Sequence, residues 1–170
     1  LKLVPRYCRV MRIMREIPPD YIVAGTIRID LRKDIEKELR QNKFKLNEIR
    51  YREVGFVKEN LNLSLKLKIT KYKASQGVEY FLEVVNKDDI LFGLLRLRIN
   101  PDKTAIVREI HVYGKSLKIG EKLKVASQHQ GLGTWLLQEA EEIVKKHKVN
   151  KLTIISGVGV REYFRKFGYR

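Results

Sequence analysis

SQHQGLGTWLLQE, residues 127–139, places a Gly-x-Gly pattern directly before an apolar run with helical spacing. Turns of this kind can hold a phosphate on the free backbone N–H groups at a helix N-terminus. A dinucleotide-binding turn would carry a third glycine, and the sequence continues after Gly133 with Thr134-Trp135-Leu136 instead. A P-loop is excluded too, because no Gly-Lys-Ser/Thr follows. Two interpretations remain at this point: an anion-binding turn, or a glycine-rich turn that binds nothing.

The segments on both sides of this turn predict a strand–helix–strand unit. Residues 104–113 alternate as a strand, and residues 135–148 carry an apolar stripe opposite a charged face, as an amphipathic helix does. A short buried strand is predicted at 151–155, followed by a helix at about 160–167 that Gly168 ends. Because such crossovers join parallel strands, we expect the strands before and after the long helix to pair in parallel.

Upstream of this unit the hydrophobic period is two, as in half-buried strands. LNLSLKLKIT, residues 61–70, alternates apolar with polar residues, and further strands are predicted at 78–85 and 90–99. Asn86-Lys87-Asp88-Asp89 is typical of a hairpin turn. The predicted fold is α/β: a mixed sheet that combines an antiparallel meander with one strand–helix–strand crossover, and not a doubly wound nucleotide fold.

The first third of the chain has a different character. Pro18-Pro19 interrupts its two apolar runs, and no single period persists. Asp30 is a suitable N-cap for an amphipathic helix at about 31–42, in which apolar residues recur every four positions. We therefore interpret residues 1–60 as a linker that includes this helix, and residues 61–170 as the main domain.

Charge and composition restrict the classes of partner. The 36 lysines and arginines against 20 aspartates and glutamates give a formal net charge of +16, which favours a polyanion, with nucleic acid ahead of a membrane surface. A generally lysine-rich proteome is the alternative explanation. No apolar stretch reaches the roughly 20 residues that span a bilayer. Cys8 is the single cysteine, so no internal disulfide is expected, as in a reducing cytoplasm, and no metal site is predicted.

Gln128-x-x-Gly131-x-Gly133 after the fourth predicted strand resembles the acetyl-CoA motif of the GNAT acyltransferases. The order of elements from Leu61 to Tyr169 is also similar to that family. The resemblance implies a GNAT-type acyltransferase fold whose fourth and fifth strands separate, with the pantetheine arm of acetyl-CoA bonded to exposed strand backbone.

A closer resemblance covers nearly the whole chain. Six stretches are similar, in order, to the catalytic subunits of Elongator, a family of enzymes that modify the tRNA wobble uridine and combine a radical-SAM domain with a GNAT domain. The stretches are MREIPPDYIVAG, IRYREVGF, DILFGLLRLRI, IVREIHVYG with QHQGLGTWLLQEAEEI, and ISGVGVREYFRKFGYR.

This resemblance implies an acetyl-CoA-dependent tRNA acyltransferase that forms a carboxymethyl-type group at C5 of the wobble uridine. It also implies a [4Fe–4S] cluster and S-adenosylmethionine, whose three cysteine ligands this chain lacks, since Cys8 stands alone. The chain is therefore interpreted as a C-terminal part that lacks the radical-SAM domain, with its last strands cut short. The implied partners are the anticodon region of tRNA, the radical-SAM domain and either accessory subunits or a second copy, in the cytoplasm and without a membrane.

The family motif, carried over residue by residue, gives the candidate acetyl-CoA site. Tyr163 is the candidate donor of a proton to the leaving thiolate, and Glu109 is a candidate general base whose alternative role is an ion pair with Arg108 or another nearby base. Phe164 stands where relatives often carry a second tyrosine. The residues expected to bind the coenzyme are Glu109, Ile110, His111, Val112, Gln130, Gly131, Leu132, Gly133, Thr134, Trp135, Tyr163 and Phe164.

The basic first third offers the candidate RNA surface, for which a solvated basic face is the alternative. Two other functions stay open at this point: a protein lysine N-acetyltransferase that uses Glu109 as its base, and a non-catalytic tRNA-binding module. The candidate RNA-binding residues are Arg6, Arg9, Arg12, Arg15, Arg28, Arg32 and Lys33.

Overall fold

The computed structural model describes residues 1–15, 17–25, 27, 31–57, 61–114 and 131–170. The chain divides into two compact units, Leu1–Arg52 and Glu53–Arg170. No helix in the described ranges is long and apolar enough to cross a bilayer.

The first unit contains the predicted amphipathic helix, α1 (Leu31–Gln41), and one short turn of helix, α2 (Ile49–Arg52). The proposed N-cap, Asp30, lies outside the described residues. Pro19 begins a single 3₁₀ turn, Pro19–Tyr21, in the position where a missing N–H costs no hydrogen bond.

A fully buried carboxylate organises the first unit. Glu48 accepts hydrogen bonds from the backbone N–H groups of Val10 (2.7 Å) and Tyr51 (2.9 Å) and from the Arg32 guanidinium (3.0 Å). Arg32 also pairs with Glu36 at 2.5 Å. Because a buried charge is costly unless it is paired, these donors fix the N-terminal segment at Val10 onto the rest of the unit.

The second unit is built on a five-stranded sheet in the order β1-β2-β3-β4-β5. Four strands form the predicted antiparallel meander, and the fifth pairs in parallel with β4, as the crossover required. This confirms the predicted mixed α/β fold. The strands are β1 (Lys66–Ala74), β2 (Gly77–Val85), β3 (Leu91–Ile99), β4 (Thr104–Val112) and β5 (Lys151–Ile154).

Two strand predictions were wrong in detail. The first strand begins at Lys66, although the alternation begins at Leu61; Leu61, Leu63 and Leu65 bury their side chains against the core without pairing to β2. The strand predicted to be buried, β5, is only half-buried on alternate residues, because it lies at the edge of the sheet.

Two helices follow β4. The long helix, α3 (Leu132–Lys146), begins before the predicted Trp135 and packs an apolar stripe against β2, β3 and β4. The last helix, α4 (Arg161–Arg165), is shorter than expected, and Gly168 follows it with a left-handed φ of 86°. The buried residues of α3 are Leu132, Leu136, Leu137, Ala140, Ile143 and Val144.

Candidate active site

The site begins where β4 and β5 separate. Their pairing runs from Thr104 opposite Lys151 to Val107 opposite Ile154, and one further bond joins the Ile155 N–H to the Val107 carbonyl. β4 continues to Val112, and its last five residues have no paired strand on this side in the part of the chain that the structure describes. Such an edge presents backbone donors and acceptors to a ligand.

A bulge lies at the point of separation. On β3, Arg96 pairs with Glu109 and Leu97 pairs with Val107, so Arg108 is an extra residue in β4. Bulges bend a strand and change the direction of the side chains that follow. The bend therefore occurs at the first residue of the unpaired section of β4.

A cavity of about 530 Å³ lies between the separated strands. Residues from β4, from α3, from the segment after β5 and from α4 line it, so one opening is reached from several elements. The lining residues are Arg108, Glu109, Ile110, His111, Val112, Gly133, Ile155, Ser156, Gly157, Val160, Tyr163 and Phe164.

Gly133 and Tyr163 meet at the N-terminus of α3. A Cβ atom built on Gly133 would lie 2.8 Å from the Tyr163 hydroxyl oxygen and 3.8 Å from Val112 Cγ2. Real Cβ atoms essentially never approach other heavy atoms below 3.0 Å, so the tyrosine occupies the space that a side chain would need. Position 133 is thus glycine because the Tyr163 hydroxyl approaches the helix backbone.

The other glycine of the motif has a different physical role. Gly131 has a φ of 98°, a left-handed conformation that L-residues rarely adopt, and a Cβ there would meet nothing within 4 Å. Its carbonyl accepts the first bond of the helix, from the Trp135 N–H at 2.8 Å. Gly131 therefore turns the chain into α3, and Gly133 leaves room beside the helix.

The N-terminus of α3 suits an anion. The first backbone N–H groups of a helix have no partner within it, and the helix dipole adds partial positive charge there. The first turn of α3 contains no acidic side chain to neutralise that charge. Leu132 is buried in the core, so its side chain is not available to a ligand.

Glu109 is held by two bases. Its Oε2 lies 2.5 Å from Arg96 Nε, and its Oε1 lies 3.2 Å from His111 Nε2. Arg108, the partner first considered, pairs with Glu79 of β2 instead (3.4 Å). Glu109 therefore forms the ion pair that was its alternative role, and its partner is Arg96.

A tyrosine after the last helix secures α4. The Tyr169 hydroxyl donates a hydrogen bond to Glu141 on α3 (2.7 Å), and its ring packs edge-on against Phe164. Burial, and then the bond to Glu141, raise the pKa of Tyr169 well above its usual value near 10. The Tyr163 ring in turn contacts Phe164 and Phe167, which orients its hydroxyl toward α3.

The structure brings most of the candidate coenzyme-binding residues together. Those lining the cavity are Glu109, Ile110, His111, Val112, Gly133, Tyr163 and Phe164. Gly131, Leu132, Thr134 and Trp135 belong to the start of α3, and the Trp135 indole donates to Glu139 at 3.2 Å. Gln130 lies outside the described residues.

The segment after β5 contributes cavity residues that sequence reasoning missed. Ile155, Ser156, Gly157 and Val160 follow the strand that runs parallel to β4. The usable signal was the predicted parallel pairing itself, because the carboxyl ends of adjacent parallel strands lie at the same edge of a sheet.

The candidate RNA-binding residues divide into two groups. Arg9, Arg12, Arg15 and Lys33 are exposed, and Arg6 is half-buried. The Arg32 guanidinium bonds to Glu36, Glu48 and the Val10 carbonyl, and only 12% of its side chain is exposed. Its charge is therefore paired inside the first unit. Arg28 is outside the described ranges.

Comparison with known proteins places this geometry in a family. The model of the acetyltransferase (GNAT) family matches residues 45–169. The chain is 40% identical to Elongator complex protein 3 of Schizosaccharomyces pombe, with 99% of this chain and 34% of the relative covered. It is also 40% identical to a tRNA uridine(34) acetyltransferase of Dehalococcoides mccartyi, with 98% and 39% covered.

A solved structure shares the fold. The archaeal Methanocaldococcus infernus Elp3, in a form with an N-terminal deletion, superposes with a TM-score of 0.82 at 34% identity, over 99% of this chain and 43% of that chain. The chain thus spans between about a third and about two fifths of the length of the curated relatives that it matches.

Proposed function

Because the chain belongs to the acetyltransferase (GNAT) family, we propose that it binds acetyl-CoA between β4 and β5 and is the acetyltransferase part of an Elongator-type enzyme that modifies C5 of the tRNA wobble uridine. The observation that carries the proposal is the contact of the Tyr163 hydroxyl with Gly133, at the N-terminus of α3 and beside the unpaired end of β4.

The residues present fit acetyl-CoA. The backbone amides from Gly131 to Thr134 bind the pyrophosphate, since a helix N-terminus with glycines lets an anion approach the main chain. The backbone of Ile110 and Val112 bonds to the pantetheine arm, because within the described part of the chain this stretch of β4 has no strand partner on that side. The remaining proposed contacts come from Gln130, Leu132, Trp135 and Phe164.

Tyr163 is the proposed proton donor to the thiolate that leaves the thioester. Its hydroxyl is the polar group that α4 presents to the cavity beside Gly133, and its side chain remains 38% exposed there. Phe164 packs in the cavity wall with 6% exposed and has no hydroxyl to donate, so of these two neighbours Tyr163 is the proposed proton donor.

The proposed acceptor is the anticodon region of tRNA, which receives a carboxymethyl-type group at C5. Two observations support it: relatives are named tRNA uridine(34) acetyltransferase, and the chain has a formal net charge of +16. Arg6, Arg9, Arg12, Arg15, Arg28 and Lys33 are proposed phosphate contacts; Arg32 is kept at most as a minor one because its charge is already paired.

The radical cofactors do not fit this chain. A [4Fe–4S] cluster needs a set of cysteine thiolates, and Cys8 is the single cysteine of the sequence. We therefore assign the cluster and S-adenosylmethionine to a radical-SAM domain outside residues 1–170 and derive no step through them. The same proposal includes a cytoplasmic location and either accessory subunits or a second copy of the chain. It also includes a boundary near residue 60 between the linker and the acetyltransferase domain.

Lysine N-acetylation is the alternative that Glu109 supports, since its carboxylate lines the cavity as a general base on β4 would. The pairing of both its oxygens with Arg96 and His111 argues against a free base.

Isothermal titration with acetyl-CoA, followed by turnover with tRNA or with basic peptides, tests the proposal. We expect binding that Gly133→Glu abolishes, because the substitution adds bulk and negative charge at the proposed pyrophosphate site. Unchanged affinity in that variant, or acetylation of peptides without any response to tRNA, contradicts the proposal.

A further inference from the structure

One face of β4 carries a row of polar groups into the cavity. Leu95 and Leu97 of β3 belong to the apolar core, so the alternate residue, Arg96, projects from the opposite face of the sheet. Glu109 pairs across from Arg96, and His111 follows on the same face. Both Glu109 and His111 line the cavity that contains the Tyr163 hydroxyl.

Glu109 and His111 form a carboxylate–imidazole pair. His111 Nε2 lies 3.2 Å from Glu109 Oε1, while Arg96 Nε holds the other oxygen at 2.5 Å. When Nε2 of an imidazole faces a carboxylate, the second nitrogen, here Nδ1, stays available to accept a proton. The His111 ring also stacks on Tyr113 with an interplanar angle of 17°, which restricts its rotation.

Exposure distinguishes the two members of the pair. The His111 side chain is 57% exposed and Glu109 is 29% exposed. Both carboxylate oxygens of Glu109 already have a basic partner, whereas Nδ1 of His111 has no hydrogen bond within the described ranges. The imidazole is therefore the group of the pair that can reach water.

We propose that His111 is the general base for hydrolysis of the thioester in this cavity, and that Glu109 is the positioning residue that fixes its ring. The inference rests on the proposed function. A carboxymethyl product is attached through the methyl carbon of the acetyl group and ends in a free carboxylate, so its thioester must be cleaved by water and not by an amine.

The step balances without a further reactant. Water attacks the thioester carbonyl carbon, and its proton passes to His111 Nδ1. The carbon–sulfur bond then breaks, the electron pair stays on sulfur, and the thiolate takes a proton from the Tyr163 hydroxyl. The products are one carboxylic acid and one thiol, and no group is oxidised or reduced. The phenolate of Tyr163 recovers its proton from the imidazolium through solvent.

The pH dependence of this step belongs to a small set of groups. Among the described residues, Glu109 and Tyr113 contact His111, and Arg108 and Tyr163 line the same cavity, while Arg96 on β3 is bound to Glu109. Arg96 is bound to Glu109 and keeps its charge throughout the range in which an imidazole titrates. Loss of activity on acidification is thus expected to report the imidazole.

The test measures acetyl-CoA hydrolysis by the 170-residue chain, as acetate and CoA separated by chromatography, between about pH 5 and pH 9. We expect His111→Gln to lower kcat by about 100-fold or more with KM unchanged and to remove the acid limb of the profile. We expect Glu109→Gln to lower kcat less than His111→Gln does and to retain the acid limb, because the imidazole remains and only its positioning carboxylate is lost.

The chain has two other histidines, which sharpen the test. His147, bonded to Tyr80 at the far end of α3 (2.6 Å), is the matched control, and His147→Gln should leave kcat and the profile as they are. Loss of the acid limb in His129→Gln with its retention in His111→Gln overturns the assignment.

Titration with acetyl-CoA separates the two levels of failure. If the unsubstituted chain does not bind acetyl-CoA, the proposed function fails and the role of His111 fails with it. If binding is normal but the chain does not hydrolyse acetyl-CoA, or if His111→Gln hydrolyses it equally well, the role of His111 alone is refuted. Circular dichroism of each variant confirms that only folded protein is compared.

Discussion

Replacing Gly133 with alanine tests the contact on which the site assignment depends. The new Cβ would lie 2.8 Å from the Tyr163 hydroxyl oxygen but 3.8 Å from Tyr163 Cζ, an ordinary van der Waals distance. Alanine in place of glycine normally stabilises a helix by up to about 1 kcal/mol. In the unsubstituted background we expect Gly133→Ala not to stabilise the protein, because Tyr163 must move to make room for the new Cβ. In the Tyr163→Phe background, which lacks the hydroxyl, we expect Gly133→Ala to give the stabilisation.

The four proteins of this double-mutant cycle are compared by urea denaturation. Residues in direct contact typically show interaction free energies of about 0.5–3 kcal/mol, and a displaced, partly packed tyrosine places the expected value near 1–2 kcal/mol. Acetyl-CoA affinity, measured alongside, should fall about 10-fold in Gly133→Ala if the same displacement costs about 1.4 kcal/mol of binding free energy. Equal stability effects of Gly133→Ala in both backgrounds, within about 0.5 kcal/mol, would refute the reasoning.

Gly131→Ala is the matched control within the same turn. Its Cβ meets no atom within 4 Å, so the cost comes only from its left-handed φ of 98° and amounts to about 1–2 kcal/mol. Because Tyr163 plays no part in that cost, Tyr163→Phe should not change it.

Three further predictions concern other parts of the chain. Glu48→Ala should lower the free energy of unfolding by about 3 kcal/mol or more, because it removes the buried acceptor of the Val10 and Tyr51 amides and of Arg32. Urea denaturation measures this change, and a loss below about 1 kcal/mol would show that Glu48 does not organise the first unit. The free energy of unfolding should fall as the pH rises above about 10, because the folded chain holds the Tyr169 proton more tightly than the unfolded chain does. This fall should be smaller in Tyr169→Phe. An identical pH profile in that variant would show that the Tyr169–Glu141 bond does not cause the fall. The triple change of Arg9, Arg12 and Arg15 to alanine should weaken tRNA binding and reduce the slope of log affinity against log salt by about 0.9 for each lost phosphate contact. Filter binding at several salt concentrations measures the slope, and an unchanged slope would contradict the surface assigned here.

The parts of the fold that the sequence predicted are those with a clear period or turn signal. The meander from β2 to β4 and helix α3 follow from alternation, from turn residues and from an apolar stripe, which are local properties. The start of β1 was predicted wrongly because Leu61, Leu63 and Leu65 keep the alternation of a strand although they lie outside the ladder that β1 forms with β2. Alternation reports burial on one side, whereas a strand is defined by its hydrogen bonds.

The sequence motif predicted which residues belong to the candidate site, but it did not predict how their charges pair. The glycines and Tyr163 were singled out from the pattern, and the structure places the Tyr163 hydroxyl against Gly133. The pairing of Glu109 with Arg96 depends on a cross-strand register that a bulge changes by one residue, and no sequence feature marked the bulge. The cavity residues after β5 required knowledge of where the two parallel strands separate.

The extra residue at Arg108 has a consequence for how β4 is compared with other sequences. Before it, the odd-numbered Ala105 and Val107 face the core; after it, the even-numbered Ile110 does, and the odd positions 109 and 111 hold the polar pair. The set of alternate residues that faces the core thus changes from odd-numbered to even-numbered at Arg108. If β4 alternated strictly through Arg108 without the bulge, Glu109 and His111 would face the apolar interior. An alignment of β4 with a strand that lacks the bulge therefore needs a one-residue gap at Arg108.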